Sequence, residues 1–100
     1  MLEPGQPIGN YRIVQKLGEG GMGAVFEAVH QDIGRHVAIK VLHAQWAQVA
    51  EVVERFRRES LVTRKIEHPH VARIFEHAQL ADGVPYIVME YLPGRSLRAQ

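Results

Sequence analysis

From Tyr11 to Leu17 the chain alternates, with Tyr11, Ile13, Gln15 and Leu17 set against Arg12, Val14 and Lys16. A period of two is that of a strand with one covered face. Glycines 18, 20, 21 and 23 follow and mark a turn. Ala24 to Val29 resumes as a second strand, Gln31 to Arg35 forms a second turn, and His36 to Leu42 is a third strand rich in β-branched residues. Short connections between consecutive strands imply an antiparallel meander. From about Ala47 to Ile66 the period changes. Val49, Val52, Val53 and Phe56 fall at helical spacing and predict an amphipathic helix, which Pro69 ends because proline disfavours helix at the residue before it. Val71 to Leu80 and Pro85 to Tyr91 read as two further strands around an Ala81-Asp82-Gly83 turn. Leu92-Pro93-Gly94 breaks the chain, and Ser96 is placed to cap a helix beginning at Leu97. The expected fold is α+β: a five-stranded antiparallel sheet with one main helix between strands three and four. Residues 1–10 serve as a lead-in, 11–92 as the domain, and 93–100 as its exit.

Composition narrows the function classes. The 100 residues are 46% hydrophobic, enough for a core, and a chain of this length makes one domain or part of one. A formal charge of +1 gives no reason to expect a nucleic-acid or membrane-surface partner. There is no cysteine, so thiolate chemistry is excluded and a reducing cytoplasm is compatible. No apolar run is long enough for a spanning helix, and Met1 to Asn10 lacks the basic-then-apolar pattern of a secretory leader. A cytoplasmic location is expected, with a membrane anchor left open for a longer parent.

The candidate chemistry begins at Gly18-Glu19-Gly20-Gly21-Met22-Gly23-Ala24-Val25. Residues without a Cβ let backbone N–H groups come close to phosphate oxygens. A Gly-x-Gly-x-x-Gly run alone is weak, because dinucleotide-binding turns share it. Those turns open a helix and place an acid about 20 residues on. Here the run opens a strand, and the acid's place falls in the strand Val37-Ala38-Ile39-Lys40. The other common phosphate loop needs Gly-Lys-Ser/Thr, which is absent.

Lys40 sits in an apolar strand, where a charge needs a partner. Glu59 lies three positions after Phe56 and seven after Val52, on the same helical stripe, and is the natural candidate. Six histidines raise the question of a metal, yet none pairs at a ligand spacing, so His68 and His70 read as structural. Arg55, Arg57, Arg58, Arg64 and Lys65 read as a solvated helix face, and Trp46 as a packing residue.

Taken in order, Leu17 to Val25, Val37 to Lys40, Arg55 to Glu59, His68 to Val71 and Pro85 to Leu97 resemble the N-terminal lobe of a protein kinase, specifically a bacterial eukaryotic-like Ser/Thr kinase. The resemblance implies that the glycine loop (Gly18, Glu19, Gly20, Gly21, Met22, Gly23, Ala24) covers the phosphates of ATP. It implies that Lys40 holds the α- and β-phosphates and pairs with Glu59. Leu17, Val25 and Ala38 would pack on adenine. Met89 resembles the gatekeeper, and Glu90, Tyr91 and Leu92 the hinge, with the Glu90 carbonyl and the Leu92 N–H as adenine contacts. Kinase chemistry also needs a catalytic-loop Asp, and an Asn and an Asp-Phe-Gly Asp for Mg2+. None of these motifs lies in the 100 residues, so no metal ligand is expected here and phosphoryl transfer by these residues alone is not expected. A truncated gene product or a partial sequence is the reading. Protein substrates would meet a second lobe, and kinase dimerisation is a further expected partner class. The alternative is a non-catalytic lobe that binds nucleotide weakly or regulates a complete kinase. Without a second lobe the sheet and helix would bare an apolar patch, which predicts modest stability or self-association.

Overall fold

A computed structural model of the chain describes residues 2–65 and 74–91, with helix side chains described up to Arg58. The element order is β1 (Pro7–Ile8), β2 (Tyr11–Glu19), β3 (Gly23–His30), β4 (His36–Leu42), a single 3-10 turn (Ala44–Trp46), α1 (Ala50–Lys65), β5 (Ile74–Gln79) and β6 (Pro85–Glu90). The strands form one antiparallel sheet in the order β1-β2-β3-β4-β6-β5. The meander, the strand pair after the helix and the helix between them follow the sequence pattern. The expected start of the fourth strand at Val71, the Pro69 stop, His68 and His70, Leu92, the 92–94 break and the helix capped by Ser96 lie outside the described residues.

Among the described residues the sheet has six strands where the sequence predicts five. The lead-in supplies the extra one: Pro7 and Ile8 pair with Arg12 and Tyr11 across a two-residue turn at Gly9-Asn10. Gly9 takes φ +60°, and a Cβ there would sit 2.7 Å from the Tyr86 hydroxyl, so the turn needs glycine twice over. Two residues are too few to show a period, but Ile8 is 2% exposed and belongs to the core.

The alternation in β2 is also revised. The register slips between Ile13 and Gln15 and again between Lys16 and Gly18. Each slip is a bulge, in which one residue is added opposite a regular partner strand and the following residues change face. Val14 and Leu17 are the added residues. Ile13, opposite Ala28, and Gln15, opposite Glu27, therefore lie on different faces rather than the same one.

The pairing of β3 with β4 and of β4 with β6 is regular, so the two sheet faces can be read off directly. One face carries Phe26, Ala28, Val37, Ile39, Val41, Tyr86 and Val88, all buried, with Ile8 and Ile13 in the same core cluster. The other carries Val25, Glu27, Ala38, Lys40, Ile87 and Met89. Phe56 of α1 meets this second face, with its ring centroid 5.6 Å from the Lys40 ammonium. The helix begins at Ala50, later than its pattern suggests, because residues 44–46 turn as a 3-10 segment first. Val49 consequently falls outside the buried stripe and is exposed, while Val52 and Val53 are half-buried and Phe56 is 1% exposed. Arg55, Arg57 and Arg58 are exposed, and Glu54 lies 3.8 and 3.9 Å from Arg57 and Arg58.

Phe56 is the most deeply buried side chain of the described part of α1, with Val52 and Val53 packed beside it on the core. Its replacement by Ala is expected to cost about 3–5 kcal/mol, read by urea denaturation. A loss under 1 kcal/mol would mean that the helix docks by other contacts.

Candidate functional site

The glycine run is shorter as a turn than its composition suggests. Gly18 and Glu19 still belong to β2 and pair with Val25 and Ala24, while Gly23 already belongs to β3. Only Gly20, Gly21 and Met22 form the tip, closed by a 2.9 Å bond from the Gly20 N–H to the Gly23 carbonyl.

The glycines separate by cause. A Cβ on Gly23 would lie 2.3 Å from the Val41 carbonyl oxygen, so β3 and β4 can approach here only if residue 23 is glycine. At Gly18, Gly20 and Gly21 a Cβ would meet nothing within 4 Å, and none of the three has a positive φ. Neither packing nor backbone conformation within the described chain accounts for these three.

Below the hairpin, Val25 stands opposite Lys40, and Glu27 opposite Ala38. Ala38 stands opposite Met89, and Lys40 opposite Ile87. Directly opposed residues share a face, so Val25, Ala38, Lys40 and Met89 form one patch beside the glycine hairpin. Ala38 is buried, whereas Val25, Lys40 and Met89 are half-buried. Leu17 is half-buried at the second bulge of β2. Glu90 ends β6 opposite Val37, and Tyr91 follows it. The backbone of Glu59 lies within α1, one turn after Phe56, but its side chain and the whole of Leu92 lie outside the described residues. The structure therefore brings Lys40 to the helix that carries Glu59.

Glu27 and His43 were not singled out by sequence, and Trp46 was read only as packing. Glu27 is 8% exposed on the Lys40 face, accepting a 2.8 Å bond from the Gln15 amide and lying 2.7 Å from His36 Nδ1. Its signal was a charge at strand period with Val25 and Val29. His43 and Trp46, just past β4, both reach the glycine hairpin: His43 Nε2 is 3.0 Å from the Gly20 carbonyl, and Trp46 Nε1 donates to the Gly21 carbonyl at 3.1 Å. Trp46 is half-buried against the core, so the packing role read from sequence is joined by a polar one. No sequence period links positions 20 and 43. Glu19 completes the cluster, 2.6 Å from the Lys16 ammonium and 3.4 Å from His43 Nε2. The Lys16 hydrogen bond, followed by its charge, holds the Glu19 carboxyl below its ordinary value.

A family model described as "Protein kinase domain" matches residues 11–100. The chain is 44% identical over 100 residues to a "Probable serine/threonine-protein kinase pknA2" of Bifidobacterium longum, covering 96% of this chain and 13% of that protein. It is 37% identical over 95 residues to "Serine/threonine-protein kinase PknA" of Mycobacterium tuberculosis, covering 91% and 22% respectively. The solved kinase domain of Mycobacterium tuberculosis PknI superposes with a TM-score of 0.68 at 32% identity, over 92% of this chain and 37% of that one. The chain thus spans a small fraction of the length of the relatives it matches.

Gly23→Ala is expected to destabilise the fold by about 1–3 kcal/mol, since β3 and β4 must separate. Gly21→Ala is expected to stay within about 0.5 kcal/mol of the parent. Denaturation of both variants checks the distinction. For Glu19, a carboxyl held low in the folded state adds stability above the ordinary glutamate value of about 4.3. That contribution is lost as pH falls through the lowered value. Lys16→Met should raise the Glu19 midpoint towards the ordinary glutamate value in an NMR titration; an unmoved midpoint would remove Lys16 as the cause.

Proposed function

The chain belongs to the protein kinase family, with bacterial Ser/Thr kinases as its relatives, and on that premise we propose that residues 11–92 are the ATP-binding lobe of such an enzyme. The observation that carries the reading is the hairpin tip. Among the described residues neither packing nor backbone conformation accounts for the missing side chains of Gly18, Gly20 and Gly21, which lie beside the Val25–Lys40 pair. A ligand that approaches the backbone closely accounts for both facts. Phosphate oxygens suit the available donors: backbone N–H groups above and an ammonium on the strand behind.

In this reading Lys40 neutralises the α- and β-phosphates and is itself held by Glu59 across the helix. Leu17, Val25 and Ala38 enclose adenine, Met89 bounds the pocket, and the backbone of Glu90 and Leu92 reads the adenine edge. The full enzyme would pass the γ-phosphate of MgATP to Ser or Thr hydroxyls of protein substrates in the cytoplasm. Bound Mg2+ would offset phosphate charge during that transfer. Its usual ligands belong to the Asp-Phe-Gly and catalytic-loop motifs, which the 100 residues do not include.

ATP is expected to raise the chain's melting temperature, and Lys40→Met to abolish that rise. An equal ATP shift in both proteins would mean that Lys40 does not hold phosphate. Incubation of the 100 residues with Mg-ATP and a generic protein substrate is expected to give no phosphate transfer.

A further inference from the structure

The tip of the glycine hairpin offers three successive carbonyls, and all three accept hydrogen bonds from a single short segment. The Gly20 carbonyl accepts from His43 Nε2 at 3.0 Å, the Gly21 carbonyl from Trp46 Nε1 at 3.1 Å, and the Met22 carbonyl from the His43 backbone N–H at 2.9 Å. Because a carbonyl can only accept, the first bond requires the proton of His43 on Nε2. Every peptide bond here is trans, so each N–H points opposite to the carbonyl of its own peptide unit. Turning the Gly20 and Gly21 carbonyls towards residues 43–46 therefore turns the N–H groups of Gly21 and Met22 away from that segment. Among the described residues, neither of these N–H groups donates to a partner.

We propose that His43 and Trp46 are positioning residues for the nucleotide's phosphates, acting through the peptide planes of the glycine loop; this rests on the ATP-binding reading above. Glycine loses more backbone freedom on ordering than any other residue, so a tip that is free until phosphate arrives would spend binding energy on being ordered. Here the ordering is done by side chains already held in the fold. Trp46 packs on the core, and His43 directly follows β4. The same stretch of chain carries Lys40, so the ammonium and the loop donors are set by one support. Glu19 extends the contact, bridging His43 Nε2 at 3.4 Å to the Lys16 ammonium at 2.6 Å.

The test compares ATP with adenosine, which shares the base and ribose but has no phosphate. Trp46→Phe keeps an aromatic ring for packing and removes the indole N–H. It is expected to weaken ATP binding by about 3- to 10-fold, the worth of one net hydrogen bond, and to leave adenosine binding unchanged in calorimetry. His43→Ala should do the same, and His43→Gln, which retains an N–H donor, should recover part of the loss. The histidine pair carries the test if Trp46→Phe does not fold. ATP affinity unchanged in these variants, or ATP and adenosine weakened alike, would overturn the proposal while leaving the nucleotide reading intact. A folded parent chain that binds no ATP would overturn that reading, and this one with it.

Discussion

The close approach of β3 to β4 is the constraint on which the rest of the molecule depends. Their pairing runs without a slip from Gly23 opposite Leu42 to Val29 opposite His36. At one end the Gly23 backbone lies where any Cβ would strike the Val41 carbonyl. This contact brings the start of β3, and so the tip of the hairpin, down onto the strand that carries Lys40. Everything proposed for phosphate recognition is measured from this join. The loop is reached by His43 and Trp46 because they leave β4 at that end, and Val25 is placed opposite Lys40 by the same register.

Both faces of the central strands are covered, and they are covered differently. On one side the side chains are almost entirely apolar, and the short β1 adds Ile8. On the other, apolar contact is interrupted by polar groups that have partners: Glu27 with Gln15 and His36, and Lys40 above the Phe56 ring. A buried carboxylate without hydrogen bonds would be costly. Two partners at 2.7 and 2.8 Å make Glu27 compatible with the face proposed for the nucleotide. The division follows from alternation in β3, β4 and β6, where neighbouring residues point to opposite sides of the sheet.

Much of this architecture was legible in the chain because it is local. Strand period, glycine punctuation and the change to a helical period each act over a few residues, and they located β2, β3, β4 and β6 closely. The candidate phosphate site was legible for a related reason: the glycine loop and Val37 to Lys40 lie on adjacent strands of a meander, so their order along the chain already implies proximity. The errors have physical causes. The first of two bulges in β2 moved Gln15 to the face opposite Ile13, and a bulge leaves no mark on a simple alternation. Val49 matched the helical stripe but precedes the helix, because residues 44–46 make a 3-10 turn first. The pair Pro7–Ile8 was too short to carry a period at all.

By itself the sequence determined the meander, the helix after the third strand, the glycine loop and the lysine on the strand behind it, since each depends on residue types within a short window. Tertiary structure alone decided which glycines serve packing and which leave space, which partners Glu27 finds, and that His43 and Trp46 hold the loop by its carbonyls. Those outcomes depend on distances between segments nine or more residues apart. Such distances are set by the register and closeness of paired strands, which no local pattern of hydrophobic and polar residues encodes.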